Sequence, residues 1–385
     1  MRPYELYVHI PFCVRKCAYC DFTSWPCRQE RIAEYMNDLI LEEAQQGAVW
    51  HSRQVETIYI GGGTPSVVPA EMMDSLLLHL LSPLQLDHMT EFTSEANPGT
   101  ITESWLNVMM KHGMNRLSMG MQAYQERLLQ LLGRIHHHQQ VVSSVKMARH
   151  AGIRRISLDL MFGLPMQTMA DWTETLQHAI SLEPEHISCY GLILEEGTPL
   201  WQDVQNGKLA MPEVELERDM YDAALSILKD AGYTSYELSN FSRPGEECRH
   251  NVGYWTGVPY RGLGMSASSM DWTEDHDSPC IRWNNPVSPE TYHDQVLSSS
   301  SVLPNMERIS RKDAMFEFFM LGLRMTRGVS LSQFRHRFGV SADSVYGKKI
   351  SRLTADGWLI QTGDMLQLTR KGMDMQNSVL VEMMD

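Results

Sequence analysis

The 385-residue chain lacks any stretch of about 18 consecutive apolar residues, so no membrane-spanning helix is expected. The opening MRPYELYVHIPFC lacks a basic segment followed by an apolar stretch and a cleavage site, so no secretory signal is expected either. Cysteine is scarce and odd in number, at 7, which argues against a disulfide framework and for a reducing, cytoplasmic setting. Positive charge is in deficit. The 33 Lys and Arg against 47 Asp and Glu leave a net charge of −14, which disfavours nonspecific binding to nucleic acid or to an anionic membrane. The remaining composition is ordinary globular, 43% apolar, and the length suits two or three domains around a large core.

Against that scarcity, three of the cysteines crowd into eight residues. Cys13, Cys17 and Cys20 stand in HIPFCVRKCAYCDF with C-x3-C-x2-C spacing. Three readings are open on the residues alone. A structural zinc needs four ligands, so His9, Cys27 or a distant side chain would have to complete the set. Three unrelated core thiols would be indifferent to so tight a spacing. A [4Fe–4S] cluster held by three thiolates would leave one iron open for a small molecule.

Short β-rich runs alternate with helical patterns along the first half of the chain. The runs are Glu5–His9, Thr57–Gly61, Glu91–Glu95, Arg116–Met119, Arg155–Asp159 and His186–Tyr190. Between them lie amphipathic stretches at Arg28–Gln46, Pro69–Leu81, Thr102–His112, Gln139–Ala151 and Asp171–Leu182. This alternation predicts repeated βα units and a parallel sheet. The polar motifs fall at the carboxyl ends of these strands, where barrel enzymes carry function. GGGTP (Gly61–Pro65) lets backbone approach a ligand closely. SEANP places Glu95, SMGMQ places Gln122 and ISLDLMFGLPMQT places Asp159, while LLGR supplies Arg134, whose fork suits a carboxylate. Taken singly, each reads as an ordinary turn, surface or core residue; the series at successive strand ends favours a site.

C-x3-C-x2-C with Tyr19 before the third cysteine resembles the signature of the radical SAM superfamily. That resemblance implies an incomplete (β/α)6 barrel, a [4Fe–4S] cluster on Cys13, Cys17 and Cys20, and S-adenosylmethionine (SAM) chelated by the open iron. YVHIPFCVRKCAYCDF, GGGTPS, SMGMQ and DLMFGLPMQT together resemble the oxygen-independent coproporphyrinogen III oxidase family, and more closely its heme-chaperone branch. By this resemblance Tyr7, Gly62, Gly63, Thr64, Glu95, Gln122, Arg134 and Asp159 line the SAM region. Two features depart from the oxidase. Phe22 stands where that enzyme carries a further cysteine, and its longer N-terminal extension is missing here, so decarboxylation of coproporphyrinogen III is not expected.

CRHNVGYW contains H-N-x-x-Y-W, which resembles the motif marking the chaperone branch. The resemblance offers His250 as an axial ligand of heme iron, with Tyr254 and Trp255 to stack on porphyrin. On the residues alone, the favoured reading is a loop hydrogen-bond network of His250 and Asn251 with Trp255 as a core anchor; the resemblance brings His250 as ligand level with it. PYRGLGMSASS, from Pro259 to Ser269, reads as a Gly-rich loop nearby. His136, His137 and His138 read as a solvated helix start, Cys27 as a free thiol, Cys189 as core, and Cys280 as part of a polar loop.

The last residues change pattern. KDAMFEFFMLGLRM, SLSQFRHRFG and SVYGKKISRLTADGWL read as helices and WLIQTGDMLQLTRKG as a hairpin, which together resemble a winged helix. From 305 to 385, 12 Lys and Arg meet 9 Asp and Glu, too weak a basic footprint for DNA. The expected organisation is an α/β barrel over 1–235, a connecting region with the H-N-x-x-Y-W motif over 236–304, and a winged-helix-like domain over 305–385, with SSSSVLPN as linker. The function expected is binding of heme and its delivery to acceptor proteins, membrane-bound respiratory enzymes among them, from a cytoplasmic scaffold carrying the cluster and SAM. The alternatives are the oxidase activity and a heme- or redox-sensing winged-helix regulator. A homodimer is left open.

Overall fold

The computed structural model describes residues 3–26, 29–84, 86, 89–298 and 306–384. Cys27 and most of the expected linker SSSSVLPN lie outside the described residues. Six strands carry the first half: β1 (Pro3–Ile10), β2 (Gln54–Gly62), β3 (Glu91–Ala96), β4 (Arg116–Gln122), β5 (Arg155–Phe162) and β6 (His186–Gly191). They pair in sequence order, every neighbour parallel. All six predicted runs fall inside these strands.

Period-2 patterning decides what each strand offers to either side. Ile58 and Ile60, Leu117 and Met119, Ile156, Leu158 and Leu160 join the hydrophobic core under the surrounding helices. The intervening residues point into the lumen, and they are polar: Tyr59; Glu95; Arg116 and Ser118; Ser157 and Asp159; His186, Ser188 and Tyr190. The barrel therefore encloses a polar chamber. Helices return each strand to the next. Ala70–Leu81 buries Met73, Leu76, Leu77 and Leu80, the i, i+3, i+4, i+7 face of an amphipathic helix. Thr102 caps Glu103–Lys111 by accepting from the Trp105 amide, and Thr168 with Asp171 forms a capping box at Met169–Ser181.

The sheet extends beyond the six units. Tyr260–Leu263 pairs parallel with β1 on its free side, so seven strands run parallel. Ser268–Trp272, Cys280–Asn284 and Glu307–Ile309 continue antiparallel from it, and Asn240–Ser242 with Thr234–Ser235 continue from β6, giving 12 strands. The stretch expected as a Gly-rich loop thus begins as a strand. Gly262 there has no room for a side chain, since a Cβ would stand 2.2 Å from the Ser268 carbonyl oxygen. Cys280 opens a strand and is buried rather than sitting in a polar loop, and Cys189 is core, as expected.

At the C-terminus, Arg311–Gly322, Leu331–Phe338 and Ala342–Ala355 pack with a small sheet ordered Val329–Ser330, Met365–Leu368, Leu359–Thr362. The hairpin turns at Gly363, whose φ is +60°. Phe319, Phe334, Tyr346 and Leu353 form its core together with Met270, Cys280 and Ile309 from the extended sheet. Among the described residues no helix is long and apolar enough to cross a membrane.

Candidate functional site

The three cysteines follow β1 on one loop, all half-buried and none in a disulfide. The loop is pinned at several points. Ala18 donates its amide to the Leu132 carbonyl (2.9 Å), and Cys20 to that of Cys17 (3.3 Å). From the second strand end, Gly63 and Thr64 donate to the carbonyls of Ile10 (2.8 Å) and Phe12 (2.7 Å). Here glycine is obligatory. Gly62 has a φ of +107°, and a Cβ on it would stand 2.4 Å from the His9 ring; a Cβ on Gly63 would meet the Phe12 carbonyl at 2.7 Å. The GGGTP turn thus holds the base of the cysteine loop as well as facing the chamber.

Donors converge on the sulfurs. Arg134 Nη1 lies 3.4 Å from Cys17 Sγ, and Thr64 Oγ1 lies 3.6 Å from Cys13 Sγ. Asn97 joins the two donors: its Nδ2 donates to Thr64 Oγ1 (2.7 Å) and its Oδ1 accepts from Arg134 Nη2 (2.5 Å). A cation and a hydroxyl aimed at thiols are the surroundings of thiolate ligands. The residues present fit a three-thiolate cluster.

The chamber below this loop is walled by most of the expected SAM residues. Glu95 accepts from the Tyr59 hydroxyl (2.8 Å) and the Gly62 amide (3.0 Å), and burial pushes its carboxyl up to about 7. Asp159 accepts from Ser118 (3.1 Å) and Ser157 (3.5 Å); burial raises its pKa, against the pull of these hydroxyls. Gln122 has a φ of +64° beside a bulge in the β4–β5 pairing. Gly120 leaves room for it and for Arg134, since a Cβ there would stand 2.5 Å from Gln122 Nε2. Cys13, Cys17, Cys20, Gly62, Gly63, Thr64, Glu95, Gln122, Arg134 and Asp159 all line one chamber. Phe22 is exposed at its mouth.

Two of the expected site residues stand off the wall. Tyr7 packs behind Tyr59, with ring centroids 6.3 Å apart, and spends its hydroxyl on His9 Nδ1 (2.9 Å). His250 is 1% exposed and lies at the base of the barrel. Its Nδ1 bonds Thr57 Oγ1 (2.7 Å), its Nε2 bonds the Tyr254 hydroxyl (3.0 Å), and its ring stacks on Tyr59 at 5.1 Å. Burial, with Arg116 nearby, pushes its pKa down to about 3, so the ring is neutral. Ligation of an iron by His250 would break one of these bonds and open its helix, Arg249–Thr256. Trp255 faces away under Arg324, whose guanidinium lies 4.4 Å from the ring centroid. His137 caps the helix His138–His150 as a helix start requires, but His136 is buried against the Met121 carbonyl.

Sequence reasoning missed Asn97, Tyr59, Ser118, Arg116 and Asn251, which also line the chamber. Asn97 lies inside the quoted SEANP, and its position two residues past Glu95 at a strand end was an available signal. Arg116 offered none, because it only opens a strand; Asn251 stood in the H-N-x-x-Y-W motif, read there as part of a loop hydrogen-bond network rather than as a chamber residue.

Comparison with known proteins finds likenesses for both the barrel and the C-terminal unit. Residues 7–179 match the model of the radical SAM superfamily, and residues 309–375 match that of the HemN C-terminal domain. The chain is 35% identical to the heme chaperone HemW of Lactococcus lactis subsp. lactis (strain IL1403) over 98% of its own length and 96% of that protein. It is 33% identical to the heme chaperone HemW of Escherichia coli (strain K12), over 98% and 97%. Among solved structures it resembles the coproporphyrinogen III oxidase HemN of Escherichia coli, with a TM-score of 0.85 at 23% identity over 99% of this chain and 90% of that one. At that identity the last likeness concerns the fold.

Proposed function

Because the chain belongs to the heme chaperone HemW family of radical SAM proteins, we propose that it binds heme and delivers it to acceptor proteins. The full-length similarity to HemW proteins, spanning barrel, H-N-x-x-Y-W helix and C-terminal unit, carries this reading. In it, Cys13, Cys17 and Cys20 hold the [4Fe–4S] cluster, with Thr64 and Arg134 donating to two of the sulfurs. When bound, the cluster supplies one open iron that chelates the amino and carboxylate groups of SAM. In this reading Glu95 accepts from the ribose hydroxyls, and Gly62 and Gly63 let backbone come close to the ligand. Gln122 and Asp159 supply further polar contacts along the same wall.

His250 serves this reading as a support for the helix, since both ring nitrogens are occupied inside the protein. The proposed setting is cytoplasmic, with membrane-bound respiratory enzymes as one class of acceptor. Oxidase activity is a weaker alternative, because Phe22 offers no thiol where the oxidase family has one. Anaerobic reconstitution with iron and sulfide, followed by parallel assays, separates the two. Heme transfer to an apo-acceptor without decarboxylation is the expected result. Efficient conversion of coproporphyrinogen III to its divinyl product would overturn it.

A further inference from the structure

Arg116 opens β4 at the lower end of the chamber, where it is 2% exposed and contributes to the chamber wall. Its guanidinium makes no hydrogen bond or close ion pair with any described residue. The nearest acids are engaged elsewhere. Glu91 stabilises Arg116 through space, but its oxygens take Arg155 Nη1 (3.1 Å), the Arg249 and His250 amides (3.2 Å each) and Cys248 Sγ (3.6 Å). Asp159 is held by Ser118 and Ser157. A buried guanidinium carries five N–H donors, and burying them without an acceptor is costly. Water can accept from the donors, while Glu91 offsets the charge through space without bonding it.

The H-N-x-x-Y-W helix supplies a second group on the wall of the same chamber. Asn251 lines the chamber, and its side-chain amide has no hydrogen bond among the described residues. The helix that presents it is rigidly seated. His250 bridges Thr57 and Tyr254, and Gly253 lets the helix press on Glu5, since a Cβ there would stand 1.8 Å from Glu5 Oε1. A cation and an amide are thus preorganised toward one cavity.

We propose that the chamber floor is a carboxylate-binding subsite, formed by Arg116 and Asn251, for a second ligand that enters beneath the SAM region. The subsite stands on the cavity and its unpaired groups; heme propionate as the source of the carboxylate rests on the chaperone reading. A small organic acid is the other source, with the same chemistry.

The test uses the reconstituted full-length protein. Hemin and hemin dimethyl ester are titrated into wild type and Arg116→Gln, and succinate is scored by thermal shift. An affinity for hemin at least tenfold weaker in the variant, with the ester bound equally by both, assigns the subsite to a propionate. A stabilisation by succinate that disappears in the variant assigns it to a small acid. Equal responses of wild type and variant to hemin and to succinate overturn the proposal. So does a lower melting midpoint of ligand-free Arg116→Gln, which would make Arg116 a counter-charge of the fold. Should that variant not fold, Asn251→Ala must show the same ligand-selective loss, and its failure to do so counts against the subsite. A wild type that takes up no hemin removes the chaperone reading, while the succinate response still decides the floor.

Discussion

Glu95→Gln isolates the charge of one carboxylate in the chamber wall. The wild-type side chain accepts from the Tyr59 hydroxyl at 2.8 Å and the Gly62 amide at 3.0 Å. In the variant the amide oxygen keeps the Gly62 N–H, and the Tyr59 hydroxyl turns to accept from the new NH2. Both wall contacts survive, so the substitution costs the fold about 1 kcal/mol or less. What disappears is charge-assisted acceptance of the ribose hydroxyls. Hydrogen bonds to charged groups are worth ~1.5–3 kcal/mol against ~0.5–1.5 for neutral ones, a difference of ~1–1.5 kcal/mol. SAM should bind about 5- to 15-fold more weakly.

The same carboxyl sets a pH signature. Burial raises it from an ordinary 4.5 to about 7, so wild-type SAM affinity rises between pH 6 and pH 8 as the group ionises, whereas the variant is flat. Folding moves the opposite way. A carboxyl raised in the folded state gives stability that is complete below about 4.5 and is lost as pH climbs through about 7. The shift corresponds to ~3 kcal/mol, and the variant lacks that slope. Anaerobic equilibrium dialysis with SAM, alongside urea unfolding across the same pH range, reads both. A wild-type SAM affinity independent of pH, or a variant that binds SAM as tightly as wild type, would refute the assignment.

Cys17→Ala should lose most of the roughly four irons per chain expected after reconstitution while retaining native circular dichroism, because the ligand sits on a loop; stoichiometric zinc in protein isolated without oxygen would sink the cluster reading. Gly62→Ala forces a side chain into a left-handed backbone and against the His9 ring, so it should lower the melting midpoint and the cluster content together; unchanged values of both would contradict the turn's role in seating the loop. His250→Ala leaves Thr57 and Tyr254 without their shared partner and should cost about 2–5 kcal/mol in urea unfolding. A changed Soret band at undiminished stability would instead make His250 a heme ligand.

The sequence by itself determined the scaffold and the chemistry at the strand ends. Local periodicity located all six barrel strands, because alternate lumen and core residues are written in adjacent letters. Ile156, Ser157, Leu158 and Asp159 alternate core and chamber within one short run. The C-x3-C-x2-C spacing is local too, and so were GGGTP, Glu95 and Gln122. Only the tertiary structure decided which groups meet across the barrel. Asn97 ties the donors of Cys13 and Cys17 through Thr64 and Arg134, and these partners come from four separate segments. Tyr260–Leu263 joins β1 some 250 residues away in sequence, a parallel pairing that no turn signal announces. His250 looks ligand-like in its motif, but packing encloses it between Thr57, Tyr254 and Tyr59 and leaves the neighbouring Asn251 facing the chamber. Burial, which sets the ionisation of Glu95 and leaves Arg116 without a hydrogen-bond partner among the described residues, is a property of the closed sheet and its helices together, and spacing along one strand does not encode it.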